Sequence, residues 1–382
     1  MSNHLMNLPR LSGGTVHLPG ETGYDERRGS LNPAVDAHPV MVIEAAGAAD
    51  VRTAVLAAAD CGLALAVQAT GHGTHTAAEG ILLRTTCMDS VRVDPLRRTA
   101  TVGPGARWGR VLDEARKYGL APLSGSSRDV GVTGFTLGGG VGWLSRRYGF
   151  AADSVLSAQV VLADGRQVRA SEEENADLFW ALRGGGGGFG IVTSLEFRLY
   201  PVREVQAGVI TLDRETALAT YRRLTENAPD ALSTALMITP DSVWMKVLYA
   251  GGAAEAEKLV GPGLTTMEYA DAAMGGTPAR YLDFYHDLPD EALMRTGSRA
   301  TVEIRHWGGA MANPGGPAGH RSVPYSVIVN EATEDMPRGV GATFLNFLAD
   351  PSRIHTAFTA DNFRRLAEVK RAYDPSGMFG PR

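Results

Sequence analysis

Three glycine-rich stretches and one short segment of mixed charge hold the residues whose types and spacing could do chemistry. The first is Val67-Gln68-Ala69-Thr70-Gly71-His72-Gly73-Thr74-His75, where two glycines flank a histidine just after an apolar run. Glycine tolerates backbone angles closed to other residues, so neighbouring N–H groups can crowd around an anion such as a diphosphate. The second stretch, residues 130–144, sets six glycines among apolar residues. It is too hydrophobic for a flexible linker and suits backbone packed against something flat. The third, residues 183–193, contains Gly185-x-Gly187-x-x-Gly190. A dinucleotide fingerprint leaves a strand and opens a helix, whereas this run leaves a helical pattern and opens a strand, which argues against a Rossmann site.

The titratable candidates are Glu303 and His306, in Val302-Glu303-Ile304-Arg305-His306-Trp307, and Tyr325. Strand alternation sets Glu303 and Arg305 on one face and Ile304 and His306 on the other, and either face could meet a substrate. For each of these side chains a structural hydrogen bond or ion pair competes with catalysis. Trp307, Tyr249, Trp244 and Phe284 could line an apolar cavity or fill the core. His72 and His75 make no metal site, because a loop His-x-x-His without a third ligand does not complete a zinc shell.

In the order and spacing of these stretches, from about His38 to Pro201, at Val302 to Ala310 and at Phe344 to Phe379, the chain resembles the FAD-linked oxidases of the berberine-bridge-enzyme-like family. That family lies within the vanillyl-alcohol-oxidase and p-cresol-methylhydroxylase (PCMH) superfamily. The resemblance implies an α+β fold, with a two-lobed FAD-binding domain of the PCMH type and a substrate domain whose antiparallel sheet is covered by helices. It implies that Thr70, Gly71, His72, Gly73 and Thr74 hold the pyrophosphate of FAD. Ser127, Gly131, Gly134, Gly138, Gly139 and Gly142 would border the flavin, and Gly190, Ile191 and Val192 the adenine half. It also implies a covalent bond from His72 to the 8α-methyl of the isoalloxazine, which would make the flavin more oxidising. The bland alternative is a histidine that only hydrogen-bonds its loop.

Two departures from the family pattern bear on chemistry. Many relatives carry a cysteine, bonded to the flavin, where this chain has Ser127, so any attachment is expected to be single. Relatives also show a Tyr-Gly-x-Asn-Tyr-x-Arg-Leu segment whose tyrosine works at the flavin; the matching residues here are Thr359-Ala360-Asp361-Asn362-Phe363-Arg364-Arg365-Leu366. The usual Asn-Gln-Asn ending is replaced by Gly380-Pro381-Arg382.

The elements that must position these groups follow from pattern. Residues 1–37 read as an irregular arm, 38–202 as the FAD-binding domain, 203–340 as the substrate domain, and 341–382 as a segment returning to the FAD domain. Pro39 to Glu44 and Leu63 to Val67 are expected strands of a βαβ unit, with Asp50 capping the helix between them and Gly62 ending it. Asp164-Gly165 marks a hairpin. The 382 residues carry a net charge of -5 and no basic block, which gives no reason to invoke nucleic acid or an anionic membrane. Two cysteines, Cys61 and Cys87, rule out a disulfide framework. No apolar leader is visible, so the expected location is the cytoplasm. The expected function is FAD-dependent oxidation of a small, largely apolar secondary metabolite or alcohol, with dioxygen as acceptor. Richness in Ala, Gly and Arg suits a GC-rich bacterial genome, for which antibiotic biosynthesis is a plausible setting. The rival is a flavin-containing cyclase or isomerase with no net redox change, and a third reading is a flavin-binding protein without catalysis.

Overall fold

The computed structural model describes residues 11–331, 336 and 338–380, so the first ten residues of the expected arm and the Pro381-Arg382 ending lie outside the described residues. The chain lays down three sheets in turn. The first holds β1 (Thr15–His17), β2 (Met41–Glu44), β3 (Leu65–Gln68) and β4 (Ile81–Arg84) in the order β1-β2-β4-β3. β2 and β3 both run parallel to β4. The expected βαβ strands are therefore not neighbours, because β4 lies between them. Met41, Val42, Ile43, Ile81, Leu82 and Leu83 are all buried, which is why these strands read as continuous apolar runs.

The crossover helix spans Ala48–Cys61 and ends at Gly62, which takes φ 63°. Asp50 is not its cap, contrary to the sequence reading. Gly47 occupies that position, and Asp50 lies inside the first turn, accepting N–H groups from Ala46 at 3.0 Å and Ser12 at 2.5 Å. Its carboxylate thus ties the incoming chain to the helix. The N-terminal residues pair with the first sheet through β1 and β2, and Asn32 donates to the Thr74 carbonyl at 3.1 Å, next to the His72 loop.

The second sheet is antiparallel: β5 (Val91–Asp94), β6 (Thr99–Val102), β7 (Val155–Val161), β8 (Gln167–Ser171) and β9 (Ile191–Arg198), in the order β5-β6-β9-β7-β8. The β7–β8 hairpin turns at Gly165 with φ 79°, where the sequence placed it. Val161 and Ile191 from this sheet join the core of the first, so the two lobes share apolar packing.

The third sheet is antiparallel with seven strands: β10 (Glu204–Thr211), β11 (Leu232–Ile238), β12 (Val243–Tyr249), β13 (Thr265–Glu268), β14 (Tyr281–Tyr285), β15 (Val302–His306) and β16 (Tyr325–Val329), in the order β13-β10-β12-β11-β15-β16-β14. One face packs Leu236, Ile304 and Val327 into a core that also contains Tyr221 and Leu293, from helices Ala217–Thr225 and Asp290–Gly297. The other face sends Ala235 and Leu248 into the core of the second sheet. The sequence reading missed β11, β13, β14 and the Asp290–Gly297 helix. Every residue of β11 is buried, as befits a central strand, and that erases the alternation by which strands are read.

The C-terminal residues fold back on the glycine stretches. The Asn346 amide donates to the Phe135 carbonyl at 2.9 Å and accepts the Gly140 N–H at 2.8 Å. Further on, Lys370 donates to the Gly188 carbonyl and to Asp374, each at 2.7 Å. Among the described residues no helix is long and apolar enough to cross a membrane.

Candidate functional site

The three glycine stretches converge. A Cβ on Gly131 would lie 3.3 Å from the Thr70 side chain, so the second stretch touches the first. The Gly186 N–H donates to the Leu137 carbonyl at 2.8 Å, and a Cβ on Gly184 would lie 3.6 Å from the Gly139 Cα, so the third touches the second. Segments more than a hundred residues apart thus line one region of main chain.

The glycines differ in what their missing side chains make room for. At Gly138, Gly139 and Gly142 a Cβ would strike the Asn346 amide, the Phe344 ring and the Ser124 carbonyl, at 2.6, 2.5 and 1.8 Å. These three face protein on that side, not an open groove. Gly190 has φ 157° and is pressed against Val160. Ile191 and Val192 pair with Val161 and Val160 and bury their side chains, so they offer a ligand only backbone. Gly73 and Gly134 are the open ones, with nothing within 4 Å of a Cβ position.

The residues present fit an extended nucleotide on two further observations. No N–H from Thr70 to Thr74 donates to another described residue, and Gly71 takes φ 73°, a left-handed conformation that favours glycine. Thr85, beside the same loop, and Thr133, between Gly131 and Gly134, have buried hydroxyls without partners, an arrangement that costs free energy unless a ligand completes it. His72 is exposed beside these donors. Ser127 is half-buried, and its hydroxyl accepts only the Asp129 N–H, at 3.4 Å. Among the described residues no group of three His, Cys, Asp or Glu side chains could hold a metal.

A small cavity lies between the second stretch and the third sheet, with Val141, Gly142 and Trp143 on one side and Arg305, His306 and Trp307 on the other. Ile304 and Tyr325 lie in the helix-side core, while Arg305, on the opposite face of the strand, lines the cavity, and Glu303 lies on that same face. Glu303 is fully buried and accepts the Thr277 N–H at 2.9 Å and the Arg305 Nε–H. Burial pushes its carboxyl upward, but Arg305, the Thr277 N–H and Lys246 outweigh it and hold the group below the usual carboxylate range.

His306 reaches the cavity from the end of its strand, with Nε2 3.2 Å from Arg146. Burial and the Arg146 charge depress its pKa to about 3, so the imidazole is neutral. Tyr325 is not brought to the cavity: its hydroxyl lies 2.8 Å from that of Thr225, beneath the helix. Tyr249 and Phe284 likewise fill cores, and only Trp307 of the four aromatic candidates lines the cavity.

Sequence reasoning missed Arg146 and Lys246. Arg146 is 4% exposed and sends its donors to main-chain carbonyls of Leu232, Trp307, Ala228 and Pro229 in the third-sheet lobe. The available signals were an arginine in the tail of an apolar glycine stretch and a lone lysine inside the strand-like run Val243–Tyr249.

The chain has relatives among known proteins. Residues 39–171 match the "FAD binding domain" family model, and residues 329–381 match "Berberine and berberine like". The chain is 28% identical to (R)-6-hydroxynicotine oxidase of Paenarthrobacter nicotinovorans, over 96% of this chain and 95% of that protein. It is 33% identical to glucooligosaccharide oxidase of Sarocladium strictum, over 64% of this chain but 52% of that protein. Among solved structures, 6-hydroxy-D-nicotine oxidase from Arthrobacter nicotinovorans superposes with a TM-score of 0.82 at 25% identity, covering 97% of both chains. Xylooligosaccharide oxidase from Myceliophthora thermophila shares the fold, with a TM-score of 0.84 at 24% identity over 96% of both chains. The α+β architecture is therefore that of the PCMH-type oxidases, its cofactor is FAD, and the chain carries the FAD-binding and berberine-like domains found in FAD-linked oxidoreductases.

Proposed function

We propose that the protein oxidises a small secondary metabolite or alcohol with a largely apolar body and passes the electrons to dioxygen. The observation that carries this reading is a buried, ionised carboxylate, Glu303, on the same sheet face as the cavity-lining Arg305. Bound FAD supplies a two-electron acceptor for hydride. The chain supplies orientation, exclusion of water and a place for the proton that leaves a neighbouring O–H or N–H in the same oxidation. Glu303 is the group proposed for that proton: it is held in its charged form by Arg305, which itself lines the cavity, and both its oxygens keep lone pairs beyond the bonds they accept. His306 is poorly suited, since Arg146 already engages its Nε2. Val141, Trp143 and Trp307 give the cavity apolar walls for the substrate body. His72 is proposed as the single point of covalent attachment.

The test is anaerobic mixing of the purified holoenzyme with a panel of cyclic amines, aromatic alcohols and oligosaccharides while the oxidised flavin band is followed. Bleaching identifies the substrate class, and Glu303→Gln should slow it by about 100-fold or more while leaving the flavin bound. An unchanged rate in that variant removes Glu303 from the reaction. One observation favours a second reading. Thr359, at the position of the family's tyrosine, is exposed and caps the helix Ala360–Tyr373 through the Asn362 N–H at 3.2 Å. Product formed under an unbleached flavin would mean cyclisation or isomerisation instead.

A further inference from the structure

The cavity is walled by apolar groups but charged at one end, and the balance of that charge is not neutral. Arg305 spends its Nε–H on Glu303, while its two Nη groups donate to no other described residue. Its side chain is 13% exposed and lies beside the cavity, its guanidinium carbon 5.5 Å from the centre of the Phe347 ring. Arg146, at the same cavity, has carbonyls as partners and only one carboxylate nearby, Asp230, 3.9 Å away and largely exposed to solvent. Lys246 acts on both Glu303 and Arg305, and its ammonium donates to the Gly275 carbonyl at 3.3 Å. Three cations thus meet one buried carboxylate.

Two hydroxyls complete the picture. Ser126 and Ser233 line the cavity, and neither hydroxyl has a partner among the described residues. A planar guanidinium edge with free N–H groups, next to hydroxyl donors, is the arrangement that grips a carboxylate in two places.

We propose that this cavity takes a substrate bearing an acidic group, a carboxylate or a comparably placed anion on an apolar body, bound by the free guanidinium edge of Arg305 with Ser126 and Ser233. The inference rests on the reading of the cavity as the substrate site of the oxidase and narrows its substrate class. Arg305 then serves two partners. Its Nε holds Glu303 in place and its Nη groups anchor the anion, so the bond to be oxidised is fixed relative to the proton acceptor.

The test uses three probes of one shape on the holoenzyme: benzoate, neutral benzamide and cationic benzylamine. Binding is read from the flavin difference spectrum and from the rise in melting temperature, which reports even where flavin content is low. Benzoate should bind at least 10-fold more tightly than benzamide, and benzylamine more weakly than either. Arg305→Met should weaken benzoate by about 30-fold or more and change benzamide less than twofold, with Arg305→Lys between. Should Arg305→Met fail to fold, Ser233→Ala decides: a loss of several-fold for benzoate alone supports the proposal, and equal effects on benzoate and benzamide overturn it. Benzamide or benzylamine binding as tightly as benzoate also overturns it. A preparation without a flavin band, or one never bleached by any substrate, strikes the oxidase reading instead and leaves the ranking of the three probes to judge the cavity's charge.

Discussion

His72 and Glu303 divide the expected chemistry between them, one holding the cofactor and the other receiving a proton. If His72 carries the flavin, acid-precipitated protein should be yellow and the His72→Ala variant colourless, a comparison read by absorbance of the pellet. A yellow pellet from the variant would move the attachment elsewhere. With Ser127 in place of the family's cysteine, a proteolytic digest should yield one flavin peptide, the one spanning His72. These residues were legible in the sequence because each lies in a motif whose spacing survives. Arg146 and Lys246 were not, since their importance comes from what they face across the cavity, and no local pattern records that. Tyr325 illustrates the converse: it lies directly across from His306 on the same face of the sheet, but its hydroxyl meets that of Thr225 in the core.

The glycine stretches make separable predictions at the level of the element. Gly139→Ala places a side chain at φ 110° and 2.5 Å from the Phe344 ring, so it should cost about 3 kcal/mol and lower the melting temperature by several degrees. Gly134→Ala meets nothing within 4 Å. Made in the His72→Ala background, where the cofactor is free to leave, it should melt like its parent when stripped of FAD yet hold FAD about tenfold more weakly, measured by flavin fluorescence on dilution. Equal FAD retention would place the cofactor away from Gly134. The C-terminal helix has its own signature. Asp374 is fully buried and accepts Lys370 and the N–H groups of Phe379 and Met378. Burial raises its pKa, but these partners outweigh it and the native value lies below the usual range. Its contribution to stability is therefore complete above about pH 4 and is lost as pH falls through the lower native pKa. Denaturant midpoints between pH 3 and 7 should show that slope, and Asp374→Asn should remove it. Strands with clean alternation or a turn signal, such as β7 and β8, were readable in advance. β11 was not, because burial on both faces leaves no periodicity to find.

For the molecule as a whole, the second-sheet and third-sheet lobes are joined by a shared apolar core and by polar ties such as Arg116 to Glu268 and Asp271. FAD that binds only the folded form should raise the melting temperature, and the gain should shrink in His72→Ala, where the cofactor can dissociate. Arg146 sets a limit on how such a body can work. Its guanidinium reaches from the end of the second glycine stretch to carbonyls at residues 228, 229, 232 and 307, four points on the opposite lobe. Prising the lobes apart would strand a cation and several acceptors at once, so the joint is a rivet and not a hinge. Molecules must then come and go by local yielding at the rim, and the slow amide hydrogens of both lobes should exchange together, in one concerted opening.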